Sequence, residues 1–237
     1  MKILALAAKN IQVNLIFLAR LFVSLLINHE DTCARCKKYS SELDISRSLI
    51  RIFAVDNKGC MKKLNIFELD RMQLDEYREV DKIPFIVVLD NVRSLHNVGS
   101  VFRTSDAYRV QSIFLCGVTA TPPSPEIHKT ALGAEDSVSW QYFKDTREAV
   151  QMLHDEGYIV LSIEQVQGST MLQDLKLDRA KRYAVIFGNE VKGVQQEVVD
   201  MSDGCIELPQ YGTKHSLNVS VTAGIVIWEF ARQLLIE

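Results

Sequence analysis

The chain has 237 residues, enough for one large domain or two small ones, and its 47% hydrophobic and 24% charged residues are the balance of an ordinary globular protein. Five cysteines in a chain this long exclude a small disulfide scaffold, and the odd count fits reduced thiols in a cytosolic setting. A net charge of −3 excludes a global positive field as the means of holding a polyanion. The charge is unevenly divided: residues 1–60 carry 9 Lys and Arg against 5 Asp and Glu, and the remainder 18 against 25. A polyanion bound by the larger part must therefore meet a local basic patch.

From Ile11 to Ile27 the sequence is nearly all apolar, interrupted by Gln12, Asn14, Arg20 and Ser24. The run is at the short end of what spans a bilayer, and Arg20 near its centre would cost roughly 2.5–3.5 kcal/mol on insertion. Lys2 and Lys9 precede it as in a signal peptide, but His29, Glu30 and Asp31 follow with no small-x-small cleavage site. A buried helix, a membrane or secretory segment, and translated upstream sequence without a role are the three readings, the last preferred. His29, Cys33 and Cys36 have the spacing of three zinc ligands, but a fourth is missing and Cys60 is isolated, so free thiols are preferred and no metal is assigned. Met61, followed by Lys62 and Lys63, reads as a plausible start. The expected organisation is a dispensable extension over 1–60, a short charged helical segment over 61–83, and one catalytic domain over 84–237.

Beyond residue 84 the pattern is regular. Phe85–Leu89 is a continuous apolar run after Pro84, as suits a strand buried on both faces. Ser112–Cys116, Val138–Phe143, Tyr158–Ile163, Tyr183–Phe187 and Cys205–Leu208 read as further strands, and Thr121–Pro125, with three prolines, as a loop. Helices are expected over Asn97–Tyr108, over Asp145–Glu156 with Asp145 as cap and Gly157 as stop, over Gln195–Met201 and over Ser216–Leu235. Strands alternating with helices indicate an α/β domain with a mostly parallel sheet flanked by helices.

Three segments follow strands directly, on the sheet edge where open α/β folds bind ligands. The first runs from Asp90 to Thr104; Asn97 can cap the helix there, and Arg103 projects from its second turn toward the same edge. The second, Phe187-Gly188-Asn189-Glu190-Val191-Lys192-Gly193, brackets a tight loop between two glycines, without P-loop spacing. The third, Leu208 to Gly224, is a Gly-centred loop and then a helix whose first turn offers Ser216 and Asn218. His215 lies in that loop, where a lone histidine is more often solvated than catalytic.

In this order and spacing the three segments resemble the SpoU (TrmH-type) RNA 2′-O-ribose methyltransferases of the SPOUT superfamily. The matching text is Asn97 with Phe102-Arg103-Thr104, then Phe187-Gly188-Asn189-Glu190-x-x-Gly193, then Leu208-Pro209 with Ser216-Leu217-Asn218-Val219-Ser220, over roughly residues 84–235. The resemblance implies a C-terminal trefoil knot, a homodimer, a cytoplasmic enzyme with no membrane role for its catalytic domain, and S-adenosyl-L-methionine as cofactor. It implies a cofactor pocket at Gly188, Leu208 and Leu217 and a catalytic set of Asn97, Arg103, Glu190, Ser216 and Asn218. The substrate it implies is a ribose 2′-hydroxyl of tRNA or rRNA.

In the family the counterpart of Arg103 is proposed to help deprotonate the hydroxyl. Arginine, with a pKa above about 12, is an awkward base, so a phosphate clamp that stabilises the developing alkoxide is preferred and the role of base stays open. Arg93, Arg103, Arg109, Lys129, Lys192 and Lys214 are candidates for a local basic rim. Two other readings are a non-catalytic RNA-binding protein with the same knot and a base methyltransferase on the same fold.

Overall fold

The structure, a computed structural model, describes residues 63–65, 68–69 and 71–236. The apolar run Ile11–Ile27, the His29/Cys33/Cys36 trio and the proposed start at Met61 lie outside the described residues. Contacts divide the chain into Met1–Asp70 and Arg71–Glu237. Within the first unit, Asn65 and Glu68 exchange side-chain-to-backbone hydrogen bonds of 2.8 and 3.1 Å.

The second unit opens with helix α1 (Leu74–Glu79) and continues through β1 (Ile83–Asp90), α2 (Leu95–Ala107), β2 (Val110–Cys116), α3 (Pro125–Ala131), α4 (Ala134–Ser137) and β3 (Trp140–Phe143). It then runs through α5 (Thr146–Asp155), β4 (Tyr158–Ile163), β5 (Thr170–Met171), β6 (Arg182–Phe187), α6 (Gln196–Met201), β7 (Gly204–Glu207) and α7 (Val219–Ala231). The seven strands form one sheet in the order β3-β2-β1-β6-β4-β7-β5, and every pairing is parallel.

Side-chain alternation explains the unbroken apolar runs. On β1, Phe85, Val87 and Leu89 enter one core while Ile86 and Val88 enter the other. Tyr183, Val185 and Phe187 of β6 join the first, and Ala184 and Ile186 the second. Helices α2, α3 and α7 close the first face through Val98, Phe102, Ile127 and Phe230; α5 and α6 close the second through Val150, Leu153 and Val198. A central strand covered on both faces has no solvent side, so a polar residue within it needs a hydrogen-bond partner, as Ser162 of β4 finds in Ser202.

Two expectations are corrected. Helix α2 starts at Leu95, with Ser94 as cap: its side chain accepts from Asn97 N, and Asn97 turns inward instead. Helix α7 begins at Val219 rather than Ser216, because the Asn218 side chain accepts from Ser220 N and ends the helix there. The proline-rich loop is present over residues 121–124, and helix α3, which had no sequence reading, starts at Pro125, where a missing N–H costs nothing.

Helix α7 is also not buried all round. Val219, Ala223, Val226, Ile227 and Phe230 are buried, and Phe230 stacks on Phe85 at 4.5 Å between ring centroids. Val221, Ile225 and Trp228 are 51%, 41% and 44% exposed. With the π-helical turn Arg232–Ile236 it is long and apolar enough to cross a membrane by length and composition, but its buried face belongs to the sheet's core.

Candidate active site

Strand order reverses between β1 and β6: β2 and β3 continue on one side of β1, and β6 and β4 lie on the other. Loops leaving neighbouring strands on either side of such a point diverge and open a crevice at the carboxyl ends. Here the loops after β1, β4, β6 and β7 share that edge.

The end of β1 anchors it. Asp90 is fully buried, and its carboxylate accepts from Thr146 Oγ1 at 2.5 Å, Asn91 Nδ2 at 2.8 Å, Gln195 Nε2 at 2.9 Å and Gln195 N at 3.1 Å. Four donors on one carboxylate offset its desolvation, and they fix where the loop after β6 rejoins the sheet. Sequence reasoning gave Asp90 no role; the signal was a single acid closing the apolar run Phe85–Leu89.

The loop from Gly188 to Val194 is folded back on itself. Asn189 and Gly193 pair through two backbone hydrogen bonds of 3.0 and 2.9 Å. The Asn189 carboxamide accepts from Val191 N and Lys192 N and donates to Asn91 O at 2.7 Å, tying this loop to the one after β1. At Gly188 an added Cβ would fall 2.1 Å from Gly193 C and Val194 N, so only glycine fits. Gly193, at φ +70°, has a positive φ that glycine alone adopts freely.

Glu190 then connects the segments. Its Oε1 accepts from Ser94 N and from Asn97 Nδ2, at 3.2 and 3.1 Å, and its Oε2 from Arg93 N at 3.2 Å. Asn97 Oδ1 accepts in turn from Asn218 Nδ2 at 3.2 Å. Residues 93, 97, 190 and 218, spread over 125 positions, thus form one hydrogen-bonded chain. Partial burial opposes the charge on Glu190, but hydrogen bonds from its own backbone, Arg93, Asn97 and Ser94 outweigh it and hold the carboxyl below the usual range.

Beside this chain lies a cleft of about 350 Å³, within the size range of small-ligand sites. Its walls include the apolar side chains of Ile163, Phe187, Ile206 and Leu208, and Gly188, Ser216 and Leu217 line it as well. All three expected cofactor positions therefore share one cavity, with Glu190 at its rim. Glu164, Gln165 and Glu207, which sequence reasoning left without a role, also line it. Cys116, although near this edge, is no nucleophile: burial pushes its thiol up to about 12.

Arg103 does not join the cluster. It lies six residues beyond Asn97 on α2, which is about 9 Å along the axis and about 240° round it. Its side chain is exposed and has no hydrogen bond or ion pair among the described residues. The basic rim is also smaller than expected. Arg109 directly precedes β2, and its carbonyl receives Ile83 N, so it sits at the opposite edge of the sheet. Lys129 pairs with Glu126 at 2.7 Å, whereas Lys192 lines the cleft.

A sequence profile of the SpoU rRNA methylase family matches residues 84–228, from the second residue of β1 into α7. The chain belongs to this family. Among its relatives, a tRNA (guanosine(18)-2′-O)-methyltransferase of Thermus thermophilus is 31% identical over 168 residues, 71% of this chain and 84% of that one. The TrmH/SpoU tRNA-modifying enzyme of Aquifex aeolicus superposes with a TM-score of 0.60 at 28% identity, covering 68% of this chain and 80% of its own. An AdoMet-bound rRNA methyltransferase of Sinorhizobium meliloti does so with a TM-score of 0.60 at 27% identity, covering 68% and 61%. The SpoU resemblance carried by the three motifs therefore holds, and so does the parallel α/β architecture.

Proposed function

We propose that the chain transfers a methyl group from S-adenosyl-L-methionine to a ribose 2′-hydroxyl of tRNA or rRNA. The observation that carries this reading is the hydrogen-bonded chain Arg93/Ser94–Glu190–Asn97–Asn218 at the rim of the cleft that holds Gly188, Leu208 and Leu217. The relatives' activities and the AdoMet-bound neighbour point the same way.

The cleft fits this cofactor chemically. Ile163, Phe187, Ile206 and Leu208 offer apolar walls to a purine, and Gly188 lets backbone approach closely. Glu190 and Glu207 favour a cationic sulfonium, and Lys192 suits a carboxylate. When bound, the cofactor supplies an electrophilic methyl.

The protein's part is positioning, which can contribute roughly 7–11 kcal/mol to such a displacement. Glu190, held charged, fixes Asn97 and through it Asn218; Ser216 and Asn218 orient the ribose. Arg103, with no partner among the described residues, clamps a backbone phosphate and stabilises the developing alkoxide.

The same reading includes the trefoil knot, a cytoplasmic setting, and a homodimer whose contact is the exposed stripe Val221, Ile225 and Trp228. A chain beginning at Met61 is expected to be soluble, dimeric and active. The deciding experiment is Arg103→Ala with labelled cofactor and bulk RNA. Transfer should fall by at least about a hundredfold, the scale of losing one transition-state donor, with cofactor affinity unchanged. Transfer within a fewfold of wild type removes the assigned role. Nuclease digestion of the labelled RNA should yield 2′-O-methyl nucleosides; a methylated base overturns the reaction itself.

A further inference from the structure

The dipeptide Glu164-Gln165 leaves β4 at the floor of the cleft. Glu164 N donates to Ile206 O at 3.2 Å, which extends the pairing of β4 with β7 by one residue. Its carboxylate then meets the loop after β6: Oε2 accepts from Val194 N at 3.0 Å, and Oε1 from Gln165 N at 2.9 Å. The fit is close, since a Cβ added at Gly193 would fall 2.1 Å from that Oε2. Gln165 reaches the opposite way, and its Nε2 donates to His215 O at 3.0 Å in the loop after β7. Among the described residues this is the one hydrogen bond that residues 209–217 receive from elsewhere in the protein.

Two adjacent side chains therefore bridge the two loops that wall the cleft, and both line it. Their anchorage differs from that of the Glu190 chain. Glu190 joins the β6 loop to α2 on the substrate side, whereas Glu164 and Gln165 join the β6 loop to the β7 loop across the pocket floor. A change here alters the width of the cleft without touching Asn97, Asn218 or Arg103.

We infer that Glu164 and Gln165 are positioning residues that set the separation of the two loops and thereby the affinity for S-adenosyl-L-methionine. The inference rests on the cofactor reading given above. Its chemistry asks for an acceptor at 164 and a donor at 165. Glutamine at 164 keeps an acceptor for Val194 N; glutamate at 165 removes the donor to His215 O.

The test is calorimetric titration of the full chain with S-adenosyl-L-methionine, beside steady-state transfer to bulk RNA. Gln165→Ala and Gln165→Glu change an exposed side chain, so they keep the question open should Glu164→Ala fail to fold. Each should raise the cofactor Kd by about three- to tenfold, the scale of one hydrogen bond. Glu164→Ala should raise it by about tenfold or more, and Glu164→Gln should recover most of that loss. The loss should appear in KM for the cofactor, with KM for RNA unmoved.

Gln165 variants that bind like wild type overturn the inference, as does an equal loss in Glu164→Gln and Glu164→Ala. So does a fall in kcat with KM for the cofactor unchanged. If wild type itself does not bind S-adenosyl-L-methionine, the proposed function fails and takes this inference with it, an outcome distinct from wild-type binding with unaffected variants.

Discussion

The loop from Gly188 to Val194 is cross-tied by its own backbone pair, by the Asn189 carboxamide and by Glu164, whereas residues 209–217 are exposed throughout and receive one bond, from Gln165. Both wall the same cleft. Opening a segment costs what its contacts are worth, so the first loop is a preformed wall and the second is the cheaper of the two to displace. The division suits a protein that must hold a small cofactor in fixed geometry and also admit a nucleic acid.

That contrast can be broken most severely at Gly188. Gly188→Ala drives a Cβ into the backbone of Gly193 and Val194, so about 3 kcal/mol of destabilisation is expected. The corresponding drop in Tm is roughly 6–12 °C, with loss of cofactor binding. Thermal melts and titration check both. An unshifted Tm means that the loop has slack.

Asn189→Ala comes next. It leaves Asn91 O, Val191 N and Lys192 N without their partner, at about 1–3 kcal/mol. Amide hydrogen exchange should then rise across residues 188–194 and stay unchanged across 209–217.

The Glu190 link sharpens the comparison through pH. Its carboxyl titrates below the ordinary value of about 4.3, so its contribution to stability is present above that pH and is lost as pH falls through the lower, folded value. The Tm difference between wild type and Glu190→Gln should be largest near neutral pH and should shrink as pH falls from about 4.3 through the lower, folded value. A difference that grows on acidification contradicts the sign. The smallest effect belongs to the open loop: Gly212→Ala meets nothing within 4 Å and has no positive φ, so it should change stability by less than about 0.5 kcal/mol.

Much of this was legible in the chain itself. Strands buried on both faces write unbroken apolar runs, so β1, β2, β4 and β6 could be read to within two residues at each end, and Asp145 announced α5 by the cap that the structure shows accepting from Arg147 N. The three motifs were legible because glycine spacing and polar strand ends are local. Helix starts were less so. Ser94 and Asn97 are both good caps, and only the carboxylate of Glu190, 93 residues beyond Asn97, turns Asn97 inward and leaves the cap to Ser94. Arg103 entered the site through its motif, Phe102-Arg103-Thr104; the structure leaves it exposed and outside the hydrogen-bonded chain of Glu190, Asn97 and Asn218. The roles of Glu164 and Gln165 had no sequence signal, because their partners Val194 and His215 stand 30 and 50 positions away; Asp90 showed only as an acid closing an apolar run, with Gln195 105 positions away. Local sequence determined which segments are strands and which loops can carry chemistry. The strand order, which sets β4 and β1 on either side of β6, decided which of those loops meet and which polar groups each must satisfy.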